Sequence, residues 1–128
     1  MIEPERPRRV LVVEDEENLL ELIGEMLRYC GCEPDLASSG REGLTLAGSG
    51  HYDLVLVDYV LPGLGGQAFF RSLERDWPDL ASRVVFMTGA DPEASPLREF
   101  FAQAGRPALR KPFGVRMLEN LVRETIGT

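Results

Sequence analysis

Cysteine is scarce in this chain: only Cys30 and Cys32 occur, in a C-x-C pair that offers too few ligands for a closed zinc site. Cys30 falls on the apolar face of an expected helix and reads as a small buried residue rather than a redox centre. A reducing cytoplasm is the simplest compartment for such a chain. Basic residues are also in the minority, with 14 Lys and Arg against 21 Asp and Glu, so the formal net charge is -7. That balance argues against nucleic-acid binding, which needs clustered cations. Arg6, Arg8 and Arg9 form one small basic cluster near the start, and it reads as a solvated tail. No apolar run approaches the length of a membrane span, and the polar, Pro-containing start does not read as a secretory signal. Repeats and low-complexity segments are missing too. What remains is an ordinary globular composition, 44% hydrophobic and 27% charged over 128 residues, suited to one domain with one core.

Residues 1–8 hold Pro4 and Pro7 and read as a flexible tail, with the domain proper spanning 9–126. From there the chain alternates. Val10–Val13 is a short apolar run. Leu19, Leu20, Ile23, Met26, Leu27 and Cys30 follow at helical spacing, and Gly31 stops that helix. Pro34–Ala37 reads as an edge strand, where proline is tolerated. Arg41–Ala47 is a short helix. Leu54–Val57 and Val84–Met87 are further strong apolar runs, separated by a helix from Gly65 and Gly66 to about Asp76, which Trp77-Pro78 ends. A helix over 95–104, a short strand at Ala108–Arg110 and a helix from Val115 to Ile126 complete the pattern. Continuous rather than alternating apolar strands indicate a parallel sheet buried on both faces, an α/β doubly wound fold.

Parallel strands end on one edge of the sheet, and ligand sites of open α/β sheets lie beyond that edge. The residues after each run should therefore be neighbours: Glu14, Asp15 and Glu16, then Asp58, then Thr88 and Gly89, then Lys111. Two carboxylates about 4 Å apart repel by roughly 4 kcal/mol at an effective dielectric near 20. Three of them recruit a cation or shift their protonation. A hard divalent cation with oxygen ligands fits, and magnesium is the usual choice beside phosphate. Lys111 adds a positive charge, Thr88 can donate to a phosphoryl oxygen, and Gly89 leaves space open. Taken singly, each residue has a bland reading: a cap, a turn former or a solvated charge. Their shared position after successive strands is what those readings do not explain.

These residues resemble the response-regulator receiver family of two-component signalling. The likeness runs over about residues 9–126 and rests on L-V-V-E-D-E at 11–16, L-V-L-V-D-Y-V-L-P-G at 54–63, Gly66, V-F-M-T-G-A at 85–90 and L-R-K-P-F at 109–113. It implies a flavodoxin-like five-stranded sheet of order 2-1-3-4-5. It implies that Asp58 accepts a phosphoryl group from the phosphohistidine of a histidine kinase or histidine phosphotransfer domain. It implies a magnesium site of Glu14, Asp15, Asp58 and the backbone carbonyl of Val60. Lys111 would pair with Asp58, Thr88 would turn toward the phosphoryl group, and the Lys111–Pro112 peptide would be cis. The output surface would comprise the helix at 95–104, the strand at 108–110 and the helix from 115, acting on a partner that the sequence leaves unnamed. A monomer or weak dimer is expected.

Ala108 departs from the pattern, since many receivers carry Tyr or Phe there. The stretch at 104–113 resembles receivers fused to sensor kinases. Val60 and Ala90 stand where side chains tune acyl-phosphate hydrolysis in the family, and neither can position a water, so slow loss of phosphate is expected. An aspartate-nucleophile enzyme of the haloacid dehalogenase type is disfavoured, because Val60 occupies the place of its general acid. A pseudo-receiver that never takes phosphate would lack an acid or the lysine, and none is missing. P-G-L-G-G at 62–66 fits neither a P-loop nor a dinucleotide fingerprint and reads as a turn. His51 reads as a solvated loop residue. The chain stops just after the last helix, leaving open a single-domain regulator or a piece of a hybrid sensor kinase.

Overall fold

The computed structural model describes residues 7–94 and 96–126. The tail expected over 1–8 therefore lies, through residue 6 and with Arg6, outside the described residues. Eleven elements follow in order: β1 (Arg8–Val13), α1 (Glu17–Tyr29), β2 (Cys32–Ala37), α2 (Gly40–Ser49), β3 (Leu54–Asp58), α3 (Gly66–Asp76), α4 (Pro78–Ala81), β4 (Val84–Thr88), α5 (Leu97–Ala104), β5 (Ala108–Arg110) and α6 (Val115–Ile126). The sheet has the order β2-β1-β3-β4-β5, as anticipated, and every pairing is parallel.

The apolar runs explain the architecture. Along β1, Val10 and Val12 face one side while Leu11 and Val13 face the other, and all are fully covered. On the first side α1 and α6 contribute Leu20, Ile23, Leu27, Leu118 and Val122. On the second, α2, α3, α4 and α5 contribute Ala47, Phe69, Phe70, Leu73, Leu80, Phe100 and Phe101. Helices on both faces leave the strand ends as the natural place for a polar site.

Local signals set the boundaries. Glu16 caps α1 by accepting from the Asn18 and Leu19 amides. Gly31, at φ 83, takes the left-handed turn after that helix. Pro34 sits in β2, which is an edge strand and tolerates it. Several boundaries differ from the sequence reading: β2 opens at Cys32 instead of Pro34, and α2 spans Gly40–Ser49 instead of Arg41–Ala47. β1 opens at Arg8, because its ladder with β2 already pairs Arg8 with Cys32. Trp77 does cap α3, but Pro78 then starts the one-turn helix α4, its missing N–H costing nothing at a first helical position. The helix expected from 95 is described from Leu97, and Ser95 lies outside the described residues.

Candidate functional site

β1, β3 and β5 are each followed by a residue that the backbone ladder carries one step past the strand. The Glu14 amide donates to the Ala37 carbonyl at 3.0 Å, extending the β1–β2 ladder beyond Val13. The Tyr59 amide donates to Met87 at 2.8 Å and the Lys111 amide to Thr88 at 2.7 Å, doing the same for β3 and β5. Gly66 is what lets α3 begin directly against β3: a Cβ there would stand 2.5 Å from the Asp58 carbonyl and 2.6 Å from Tyr59 Cα. No other residue fits such an approach.

Side chains converge where those ladders stop. Lys111 Nζ donates to Asp58 Oδ2 at 2.7 Å and to Glu14 Oε1 at 3.0 Å. Asp58 Oδ1 accepts from the Val60 amide at 3.0 Å, and Glu14 Oε2 from the Glu16 amide at 3.1 Å. Carboxylate oxygens of Glu14, Asp15 and Asp58 lie within 4.8 Å of one another. Glu14 is 1% exposed and Asp58 4%, whereas Asp15 is on the surface. Two of these three acids, Glu14 and Asp58, thus share one ammonium, and Asp15 stands beside them. Burial pushes the Glu14 carboxyl above its ordinary pKa, and the neighbouring Asp58 adds to this, against the Glu16 amide and Lys111, which pull it down. Burial also disfavours the Lys111 ammonium, but its bonds to Asp58 and Glu14 and their charges outweigh burial, so its pKa is raised.

Of the residues singled out from the sequence, Glu14, Asp15, Asp58 and Lys111 meet directly. Thr88 ends β4 at the same edge, 1% exposed, but its hydroxyl accepts from the Ala90 amide at 3.1 Å and makes no bond to Asp58 among the described residues. Gly89 faces open space where a Cβ would stand. Glu16 is not part of the acid cluster; it is spent on capping α1. Val60 is 70% exposed just after β3, and the Lys111–Pro112 peptide is cis. His51 is exposed in the loop before β3, at the opposite end of that strand from Asp58. Burial pushes both cysteine thiols up, which makes them poor thiolates. The Glu14–Lys111 bond was not anticipated; only its 97-residue separation in sequence hid it.

A flavodoxin-like sheet that carries acids and a lysine at its ligand edge, in place of a glycine loop and helix for nucleotide phosphates, belongs to the signalling class of doubly wound domains. Residues 10–123 match the family model of the response regulator receiver domain, and the chain belongs to that family, the phosphoacceptor module of two-component signalling. Among curated relatives, the transcriptional activator protein PfeR of Pseudomonas aeruginosa is 34% identical over 111 residues, covering 87% of this chain and 35% of that protein. The chain therefore spans about a third of the length of that relative. Among solved structures, the response regulator protein TrrA from Thermotoga maritima, in complex with Mg(2+)-BeF, superposes with a TM-score of 0.79 at 31% identity, covering 92% of this chain and 98% of that one. The receiver domain of a sensor histidine kinase from Pseudomonas aeruginosa PAO1, with a magnesium ion coordinated in its active-site cleft, gives 0.82 at 28% identity, covering 96% and 100%. Among the described residues, no helix is long and apolar enough to cross a membrane.

Proposed function

We propose that Asp58 is the phosphoryl acceptor of this receiver, taking the group from a histidine kinase or histidine phosphotransfer domain. The observation that carries the reading is the single ammonium of Lys111 shared by Asp58 and Glu14 within a trio of carboxylates. An Asp58 carboxylate oxygen forms the new O–P bond. The N–P bond of the phosphohistidine breaks, and its electron pair returns to the imidazole, which takes a proton from solvent. Lys111 holds Asp58 ionised and oriented, then follows the negative charge onto the phosphoryl oxygens. Thr88 turns its hydroxyl from the Ala90 amide toward the same oxygens.

Glu14, Asp15, Asp58 and the Val60 carbonyl would hold magnesium, and the fit is chemical: hard oxygen donors, an excess of negative charge and one exposed member through which an ion enters. When bound, magnesium offsets charge between the acceptor and the incoming phosphoryl group. Two charge-assisted bonds, from Thr88 and Lys111, contribute about 1.5–3 kcal/mol each, near the roughly 5.5 kcal/mol that inverts a 1:99 equilibrium. The switched surface comprises α5, β5 and α6. Val60 and Ala90 cannot hold a hydrolytic water, so the acyl phosphate is lost slowly. The setting is the cytoplasm, as a monomer or weak dimer, with no direct contact to nucleic acid.

Incubation with magnesium and acetyl phosphate, followed by intact mass, tests this. Wild type gains one phosphoryl group and Asp58→Asn gains none. Equal labelling of both proteins, or of neither, ends the reading; the second outcome is that of a pseudo-receiver.

A further inference from the structure

Tyr59 has its backbone bonded into the turn after Asp58, while its half-buried ring packs against the core. The Val60 amide, on the peptide that Tyr59 shares, donates to Asp58 Oδ1 at 3.0 Å. On the other side, the ring packs against Phe86, Phe100 and Phe101 with centroids 6.2, 5.3 and 5.6 Å away. Phe86 in turn meets Phe100 at 5.4 Å and Phe101 at 5.3 Å. A continuous set of rings therefore runs from the residue after Asp58 to α5. Phe86 pairs across the sheet with Ala108, whose methyl has nothing to transmit, and Phe101 and Ala108 line the same surface hollow of about 280 Å³. Next to β5, the aromatic rings are therefore those of Phe100 and Phe101 on α5 rather than one on β5 itself.

Room to move is also present. Tyr59 is half-buried and borders an open groove of about 870 Å³ between α3 and α5, lined by Gln67, Glu99, Phe100 and Gln103. Among the described residues, its hydroxyl donates one long 3.5 Å bond, to Gln67 Oε1. Close-packed rings do not deform smoothly; they exchange between discrete arrangements.

We propose that phosphorylation is read in this receiver by a ring relay, Tyr59 to Phe101, that shifts α5 without any aromatic on β5. This rests on Asp58 being the acceptor. Converting its carboxylate to an acyl phosphate removes the charge that the Val60 amide is bonded to, and a hydrogen bond to a neutral acceptor is weaker. The turn at Tyr59 relaxes, its ring moves toward the groove, and Phe100 and Phe101 follow.

The test labels the chain with magnesium and acetyl phosphate, confirms the adduct by intact mass, and reads amide hydrogen exchange across 97–104. Wild type and Tyr59→Phe should show a several-fold change in exchange there on phosphorylation. Tyr59→Leu and Phe101→Leu should take the adduct but lose most of that change. A full response in the leucine variants, or a phosphorylated wild type with α5 unchanged, overturns the relay. Failure of wild type to gain an adduct is read in the mass channel and overturns the acceptor assignment together with the relay. Should Phe101→Leu not fold, Tyr59→Leu carries the test, because its ring is only half-buried.

Discussion

Toward the amino ends of β1 and β3, Arg9 reaches Asp35, the Tyr52 hydroxyl donates to the same carboxylate at 2.7 Å, and the Arg9 amide donates to Asp53 at 2.9 Å. The Arg9 guanidinium lies 4.9 Å from the Tyr52 ring centroid, and Arg83 donates to the Tyr52 carbonyl at 3.0 Å. Beyond the carboxyl ends of the same strands, Glu14 and Asp58 share Lys111, with Asp15 as a third carboxylate beside them. Both clusters are partly buried and both are ionic. The first pairs the Arg9 cation with Asp35 and surrounds that pair with bonds from Tyr52, the Arg9 amide and Arg83; the second leaves negative charge over. Balanced charge of the first kind ties strands together. An imbalance of the second kind is unfavourable in the isolated chain and would be relieved by a cation.

Magnesium should separate the two ends most clearly. At about a hundred times its dissociation constant it adds about 2.7 kcal/mol to the stability of wild type, because it binds the folded chain and not the unfolded one. The increment should survive Tyr52→Phe and shrink in Asp15→Asn, as measured by urea midpoints with and without the ion. A midpoint indifferent to magnesium would mean that the acid trio is not a metal site.

Tyr52→Phe probes the other end. It removes the 2.7 Å bond to Asp35 and leaves the ring in place, so the cost is that of a hydrogen bond to a charged group, about 1.5–3 kcal/mol. Labelling by acetyl phosphate should be unchanged. If the variant unfolds at the wild-type midpoint, the amino-end cluster contributes nothing.

Asp15→Asn should do the reverse. Asp15 is exposed, and its repulsion from a neighbouring carboxylate across about 4 Å of water is about 1 kcal/mol, so the metal-free variant gains about that much. The gain should fade in high salt. A loss of stability instead would show that the acids at this edge are paired rather than crowded.

The difference between these ends also explains what could be read in advance. β1, β3 and β4 were legible because a strand buried on both faces must be apolar at every position, and the residue that breaks the run (Glu14, Asp58, Thr88) then marks the ligand edge. Lys111 was legible as the residue after the short edge strand β5, which is covered at Leu109 alone, and the family likeness named its pairing with Asp58. The amino-end cluster escaped, since Arg9, Asp35 and Tyr52 lie on or beside three separate strands and their contact depends on register and side-chain reach. Glu16 was placed with the acids because its position is adjacent to theirs; only the start of α1 shows that it faces the Asn18 and Leu19 amides. The one-turn α4 escaped because Trp77-Pro78 signals an end as well as a beginning.

The finest test of the amino end is the ionisation of Tyr52. Burial, then the bond to Asp35 and the charge of Asp35, push this phenol from 10.0 up to about 12, against Arg9, which lowers it. A folded-state pKa above the unfolded one means that the protonated phenol favours the fold. That contribution is complete below pH 10 and is lost as pH rises toward about 12. Subtracting the tyrosinate absorbance titration of Tyr52→Phe from that of wild type isolates the group, while circular dichroism confirms that the chain is still folded. The difference curve should rise near pH 12 and not near 10. A rise near the ordinary value in a folded chain would mean that the phenol is not held by Asp35, and the contrast between a closed amino end and an open carboxyl end would lose one of its supports.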